Sequence, residues 1–255
     1  MSRVIISFIF FLLIGFGIQS QQSTQATFDK ANTFFENGEL PEAMSLYKSI
    51  AKSGEVSGAL FLNMGITAVQ LDSMGLAKYY FLKARDFETT ERQAETAINY
   101  VNSQFSRQSA KLPKLPWDTA VQWINDALTA SGLFLIGFFI TLSGLILLYL
   151  GWMNKLPLEK TSTTIMVLLI IGSTLAGLAF YADYVNQRYD EAVLVTNSKR
   201  VLQSPNTEGT LESIAYEGYD LTVDHWESEK HPDWLYVRLG NGQYGWMKNE
   251  GLKIL

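Results

Sequence analysis

The chain contains no cysteine and only two histidines, His225 and His231. Without cysteine there is no disulfide framework, no thiol nucleophile and no thiolate zinc site. Two histidines leave little material for metal binding or acid–base chemistry. Positive charge is also short: 20 Lys and Arg stand against 25 Asp and Glu, a formal net charge of −5. A mildly acidic chain without a basic stripe argues against a nucleic-acid partner. No nucleophile elbow, Walker loop or HExxH segment occurs, so the expectation is a non-enzymatic protein without a cofactor.

What is abundant is apolar sequence in long runs. Arg3 precedes Val4 to Ile18, an apolar stretch of 15 residues. That length is short for a membrane span but suits a secretory signal peptide, here 1–20, with Ser20 before the cut. An uncleaved signal anchor is the alternative. Both readings carry the following segment across a membrane.

Two further runs are long enough to span. Residues 131–152 carry no charge over 22 positions, and 13 of them are Leu, Ile or Phe. Residues 163–182 are likewise uncharged until Asp183. The expected layout is a transmembrane hairpin: helix 1 over 131–153, a cytoplasmic loop over 154–162 and helix 2 over 163–184. Export followed by two spans places both flanking regions on the periplasmic side of a bacterial inner membrane. Lys155 and Lys160 agree with a cytoplasmic loop, although Lys111, Lys114 and Arg188 lie beyond the other ends of the spans. Gly137, Thr141, Gly144 and Gly151 share one face of the first span, as do Gly172, Ala176 and Ala179 on the second. Small residues let helix backbones approach where lipid supplies no hydrophobic drive. The partner of that face is either the other helix of the hairpin or another protein. Neither span has an interior ionisable residue, so the hairpin is expected to be an anchor rather than a proton relay or ion path.

Residues 24–106 show helical periodicity and an internal repeat. Ala31 and Gly65 lie 34 residues apart, as do Ala43 and Ala77, and Tyr47 and Phe81. Small residues at these positions let paired helices cross closely, while Phe34, Tyr47 and Phe81 fill the space between them. Pro41 suits the first turn of a helix, and Asn37-Gly38 and Ser73-Met74-Gly75 supply turns. This series resembles the tetratricopeptide repeat, departing from it at Thr27, Ala68 and Thr89. A helix near 91–106 is expected to cap the stack. The resemblance implies a groove for a partner peptide or helix, lined by the first helix of each unit at Asn32, Phe35, Asn63, Ile66 and Val69. The alternative is that some of these residues belong to the core.

The segment 107–130 contains a linker with Pro113 and Pro116. It is followed by Trp117, Val121, Ile124 and Leu128 at helical spacing. With Trp123, these predict a helix resting at the membrane interface.

Residues 190–255 change to short β runs: AVLVT, LTVDHW, WLYVRL, QYGWMK and LKIL. Five strands with intervening turns predict a small barrel. Trp234, Gly242, Gly245 and Trp246 give this region its resemblance to the bacterial SH3-like domain. Trp226, Trp234 and Tyr244 are candidates for binding a peptide or glycan, or else they are core. Gly240 to Gly245 spells G-x-G-x-x-G, but that fingerprint needs a helix after it. Here Asn241-Gly242 predicts a hairpin turn between two strands. The acidic, His-bearing run 225–234 reads as a solvated loop between strands rather than a metal site.

The expected fold class is therefore a multidomain membrane protein, with an all-α tetratricopeptide-repeat domain, a transmembrane helical hairpin and an all-β SH3-like barrel. In that order, with SGEVSGALFLNMG and MGLAKYYFLKA in the repeats, the chain resembles the BatE-type family of the Bacteroides aerotolerance operon. The resemblance implies an inner-membrane scaffold linked to stress tolerance or envelope maintenance. Its implied partners are membrane proteins with von Willebrand factor A domains and a MoxR-type ATPase system. An envelope sensor or cell-wall-binding module, acting through the SH3-like domain, is the alternative function.

Overall fold

A computed structural model describes residues 24–107, 112–113 and 116–255. The expected signal peptide and the middle of the proline-containing linker lie outside the described residues. The fold comprises two compact units. The first runs to Ala110 and includes Glu191–Thr222 and Val237–Leu255; the second comprises Lys111–Asp190 and Val223–Tyr236.

In the first unit, five helices come in sequence: α1 (24–36), α2 (Leu40–Lys52), α3 (Gly58–Gln70), α4 (Met74–Arg85) and α5 (Glu91–Gln104). Their ends follow from local chemistry. Gly38, at φ +79°, terminates α1 with its own N–H on the Phe35 carbonyl. The Glu39 N–H reaches back to the Phe34 carbonyl at 2.9 Å. This closure satisfies carbonyls that the helix end would orphan, and glycine adopts the left-handed position without a Cβ penalty. Pro41 then opens α2. Ser57 caps α3, its hydroxyl accepting from the Leu60 N–H at 3.1 Å.

The helices bury one another through small and aromatic residues in alternation. Ala31, Ala43, Tyr47, Gly65, Ala77 and Phe81, the positions that match at 34-residue spacing, are all buried. A Cβ on Gly65 would lie 2.4 Å from the Phe81 ring, so the ring sits directly on the glycine. α5 joins the same core through Ala94, Ile98 and Val101.

The strands form a seven-stranded antiparallel sheet of order β3-β2-β6-β5-β4-β1-β7. Its members are β1 (Tyr189–Leu194), β2 (Ser198–Leu202), β3 (Leu211–Tyr216), β4 (Asp220–Asp224), β5 (Trp234–Leu239), β6 (Tyr244–Lys248) and β7 (Leu252–Ile254). The sequence pattern predicts five strands and omits β2 and β3. Both alternate poorly: Lys199 and Arg200 sit mid-strand in β2, and only Val201 and Leu202 of that strand are buried. Asn241-Gly242 makes the expected turn, the Gly242 N–H donating to the Leu239 carbonyl at 2.9 Å. Strand runs to strand through G-x-G-x-x-G, as a hairpin requires.

Val193 of β1 and Leu255 join the helical core cluster. A buried charge ties the sheet to α4 as well. Lys78, 3% exposed, places its ammonium 2.6 Å from the Gly218 carbonyl and 2.6 Å from an Asp220 carboxylate oxygen. Beside it the Glu217 carboxylate accepts from the Gly75 N–H at 2.7 Å. That bond serves the first turn of α4, whose N-cap Ser73 makes no side-chain capping bond.

The second unit contains α6 (Pro116–Ala127), α7 (Thr129–Trp152), α8 (Leu158–Arg188) and the one-turn α9 (His225–Ser228). α7 and α8 are long and apolar enough to cross a membrane. Their 24 and 31 residues extend roughly 36 and 46 Å at 1.5 Å per residue. The sequence pattern predicts a span over 163–184 and a loop over 154–162; α8 instead begins at Leu158, behind Pro157, and continues to Arg188. No helix breaker intervenes, and polar residues at both ends are readily helical.

The two helices meet backbone to backbone. A Cβ on Gly137 would lie 2.8 Å from the Ala176 nitrogen, and one on Gly172 would lie 2.6 Å from the Thr141 nitrogen. The small-residue faces of the two helices therefore serve the hairpin itself. α6 departs from its expected place at an interface in one respect: its apolar face is covered by protein. Val121 and Ile124 are buried with Leu133, Ala179 and Ala182. Trp123, on the other face, is 65% exposed. Run 225–234 also differs from a plain loop. Asp224 accepts from the Glu227 N–H at 3.2 Å and caps α9, because a carboxylate oxygen there can satisfy an otherwise unpaired helical donor.

Candidate functional site

In the first unit the predicted groove residues come from α1 and α3. Asn32 lies one helical position after the buried Ala31, and Asn63 precedes the buried Met64 and Gly65, so both are half-buried at the helix crossing. The structure brings them together. The Asn63 amide donates to the Asn32 side-chain carbonyl at 3.0 Å. The Tyr47 hydroxyl of α2 donates to the same oxygen at 2.6 Å. One acceptor thus joins three helices. Tyr47 is fully buried, and its hydroxyl finds the polar partner that burial requires. Burial raises the Tyr47 pKa, a hydrogen bond with Asn63 pulls it back, and the Glu36 charge raises it further. Tyr47 is therefore a neutral donor at ordinary pH.

The apolar candidates divide. Phe35 and Val69 are half-buried and pack against the core cluster. Ile66 is 38% exposed, one turn beyond Asn63 on α3. A separate shallow depression is lined by Phe34, Pro41, Glu42, Ser45 and Leu46. None of its residues is among the five predicted, and no sequence motif marks it.

The three aromatic candidates of the C-terminal region do not share one unit. Tyr244, half-exposed on β6, belongs to the first. Trp226 on α9 and Trp234 at the start of β5 belong to the second. Trp234 is half-buried, whereas Trp226 is 48% exposed. Trp226 also has neighbours that no sequence pattern shows. Its ring lies edge-on to Tyr184 at 5.3 Å, and the Arg188 guanidinium lies 5.5 Å from its centre. The same guanidinium faces Tyr189 at 5.1 Å and Tyr184 at 5.8 Å. It donates to one Asp224 oxygen through Nε at 2.9 Å and Nη2 at 2.7 Å, and through Nη1 to the Tyr184 hydroxyl.

His225 is paired with Asp190, Nε2 to carboxylate oxygen at 2.6 Å. Among the described residues no group of three His, Asp or Glu could hold a metal ion.

No protein-family model matches the chain, and no curated protein matches it significantly.

Proposed function

We propose that the chain is a non-enzymatic scaffold of the BatE type, held in a bacterial inner membrane by α7 and α8. Both soluble regions then face the periplasm, since an exported N-terminal region followed by two spans returns the chain to the side it left. On this reading α1 to α4 are two tetratricopeptide repeats, α5 is their cap and the sheet is an SH3-like barrel.

The observation that carries the scaffold reading is the Asn32–Tyr47–Asn63 bridge. It fixes two amides, contributed by the first helices of successive repeats, in one place. With the Asn32 side-chain carbonyl engaged by two donors, the Asn32 side-chain NH2 and the Asn63 side-chain carbonyl make no hydrogen bond among the described residues. Such a donor and acceptor suit the main chain of a peptide, and exposed Ile66 on the same helix supplies an apolar contact. Family resemblance names the partners: a membrane protein with a von Willebrand factor A domain, together with a MoxR-type ATPase system, in stress tolerance or envelope maintenance.

The test is co-purification of the full chain with a co-expressed von Willebrand factor A-domain membrane protein of the same operon. Asn63→Ala with Ile66→Asp should abolish recovery of the partner while leaving the chain in the membrane fraction. Undiminished recovery would refute the groove. Half-exposed Tyr244 favours the second reading, a cell-wall-binding barrel. On that reading Tyr244→Ala, rather than the groove variant, would reduce sedimentation with peptidoglycan.

A further inference from the structure

The exposed aromatic cluster at the end of α8 has a definite depth. Residues 163–182 make an uncharged helical stretch of 20 residues, about 30 Å long, which matches the hydrocarbon thickness of a bilayer. Asp183 follows at once, so Tyr184, Arg188 and Tyr189 come immediately beyond the hydrocarbon edge. Trp226 reaches the same place from α9, its ring 5.3 Å from that of Tyr184. Tyr184 and Tyr189 are each 37% exposed. α6 adds a second exposed indole, Trp123, on a helix seated against Leu133, Ala179 and Ala182. At the far end of α7, Tyr149 and Trp152 are exposed in the same way. Indole and phenol rings favour the layer where one edge meets headgroups and the other meets acyl chain.

Charge is managed to suit that layer. Arg188 is the central cation, and Asp224 neutralises it through two hydrogen bonds to one oxygen. The rings therefore surround a paired cation rather than a bare one.

We infer that Trp226, with Tyr184 and Tyr189 around the Arg188–Asp224 pair, docks into the phospholipid headgroup layer of the bilayer crossed by α7 and α8. α9 is then a membrane-contacting turn inserted between two strands of the sheet. Its tryptophan is a lipid anchor rather than a site for cell-wall peptide or glycan. This inference rests on the membrane-spanning reading of the hairpin.

The experiment uses the full chain reconstituted in phosphatidylcholine vesicles, with bromine placed either near the headgroup or deep in the acyl chain. The emission lost in Trp226→Phe reports Trp226 alone, and the emission lost in Trp152→Phe reports the end of the hairpin. The Trp226 component should be blue-shifted and quenched more by shallow bromine than by deep. If it is unquenched by either lipid while the Trp152 component is quenched and the chain resists alkaline extraction, α9 does not touch lipid. The spanning reading then stands and the inference falls. If neither component is quenched and alkali extracts the chain, the spanning reading itself fails and takes the inference with it.

Discussion

Two helical hairpins in this molecule bury a glycine at their crossing, and they fill the space against it differently. In α3–α4, Gly65 receives the ring of Phe81, which would stand 2.4 Å from an added Cβ. In α7–α8, Gly172 receives backbone: the Thr141 nitrogen would stand at 2.6 Å and the Gly137 carbonyl oxygen at 2.8 Å. On the membrane-spanning reading of α7 and α8, water explains the contrast. Burying an aromatic ring removes apolar surface from water, so the soluble hairpin gains by keeping its helices far enough apart to hold one. An apolar hairpin in lipid gains nothing from that transfer. Close backbone packing is what remains to hold it together.

The largest test of the contrast is Phe81→Ala. The ring is 2% exposed, and its removal should cost about 3–5 kcal/mol of stability in the first unit. Denaturant unfolding of the full chain in detergent, followed by circular dichroism, reads the loss. The sharper result lies in the double variant. Gly65→Ala alone clashes with the ring, but in the Phe81→Ala background its clash disappears and the two changes become strongly non-additive. Additive costs would mean that the glycine is not there to seat the ring.

Gly172→Ala should behave in the opposite way, at a cost of about 1–3 kcal/mol. Its nearest neighbour is the Thr141 hydroxyl, at 2.3 Å from the added Cβ. Trimming it with Thr141→Ala leaves the backbone contacts untouched. No side-chain change should rescue the variant, as read by resistance of the α7–α8 hairpin to proteolysis in detergent. Full rescue by Thr141→Ala would erase the distinction between the two hairpins.

The devices that one element carries within itself are legible in the sequence. Both long apolar runs, the turns at Asn37-Gly38 and Asn241-Gly242, and the 34-residue register of small and aromatic residues each depend on a few neighbouring positions. β2 and β3 escape because lysine, arginine and serine occupy positions where a half-buried strand normally alternates. α9 escapes for another reason: Asp224 and Glu227 carry a helix-start signature three residues apart, but the β-branched run before them conceals it. The buried Lys78 is beyond sequence reading, since its partners Gly218 and Asp220 lie about 140 positions along the chain. The aromatic ring of contacts around Arg188 is likewise a product of the tertiary fold. Asn32 and Asn63 are named by family resemblance; that Tyr47 binds them into one unit is visible only in the structure.

That bridge gives a smaller effect. Tyr47→Phe removes one donor from the Asn32 carbonyl while Asn63 keeps another in place, so the acceptor is not orphaned. The cost should be about 1 kcal/mol, and the measurement is the shift in denaturant midpoint of the full chain. A loss as large as that of Phe81→Ala would show that the hydroxyl organises the α1–α3 crossing and does more than satisfy one acceptor.

The smallest effect separates the two hairpins by pH. Burial, helped by the neighbouring Tyr79 charge, pushes the Tyr80 hydroxyl up to about 12 from its ordinary value of 10.0. Its folded pKa is therefore above its unfolded one. The stabilisation it represents is complete below pH 10, shrinks once the unfolded chain begins to ionise, and is gone when pH rises through 12. At pH 10.5 the loss is on the order of half a kcal/mol, discounted for the part of the hydroxyl that solvent screens. Tyr80→Phe should remove this increment, and the difference between variant and wild type isolates it from the other tyrosines. α7 has no titratable side chain between Phe134 and Leu148, nor has α8 between Thr163 and Phe180. Alkali should thus weaken α1–α5 while the apolar hairpin keeps its helicity. Equal loss in both regions would mean that the soluble helices are not held by a neutral, buried tyrosine core.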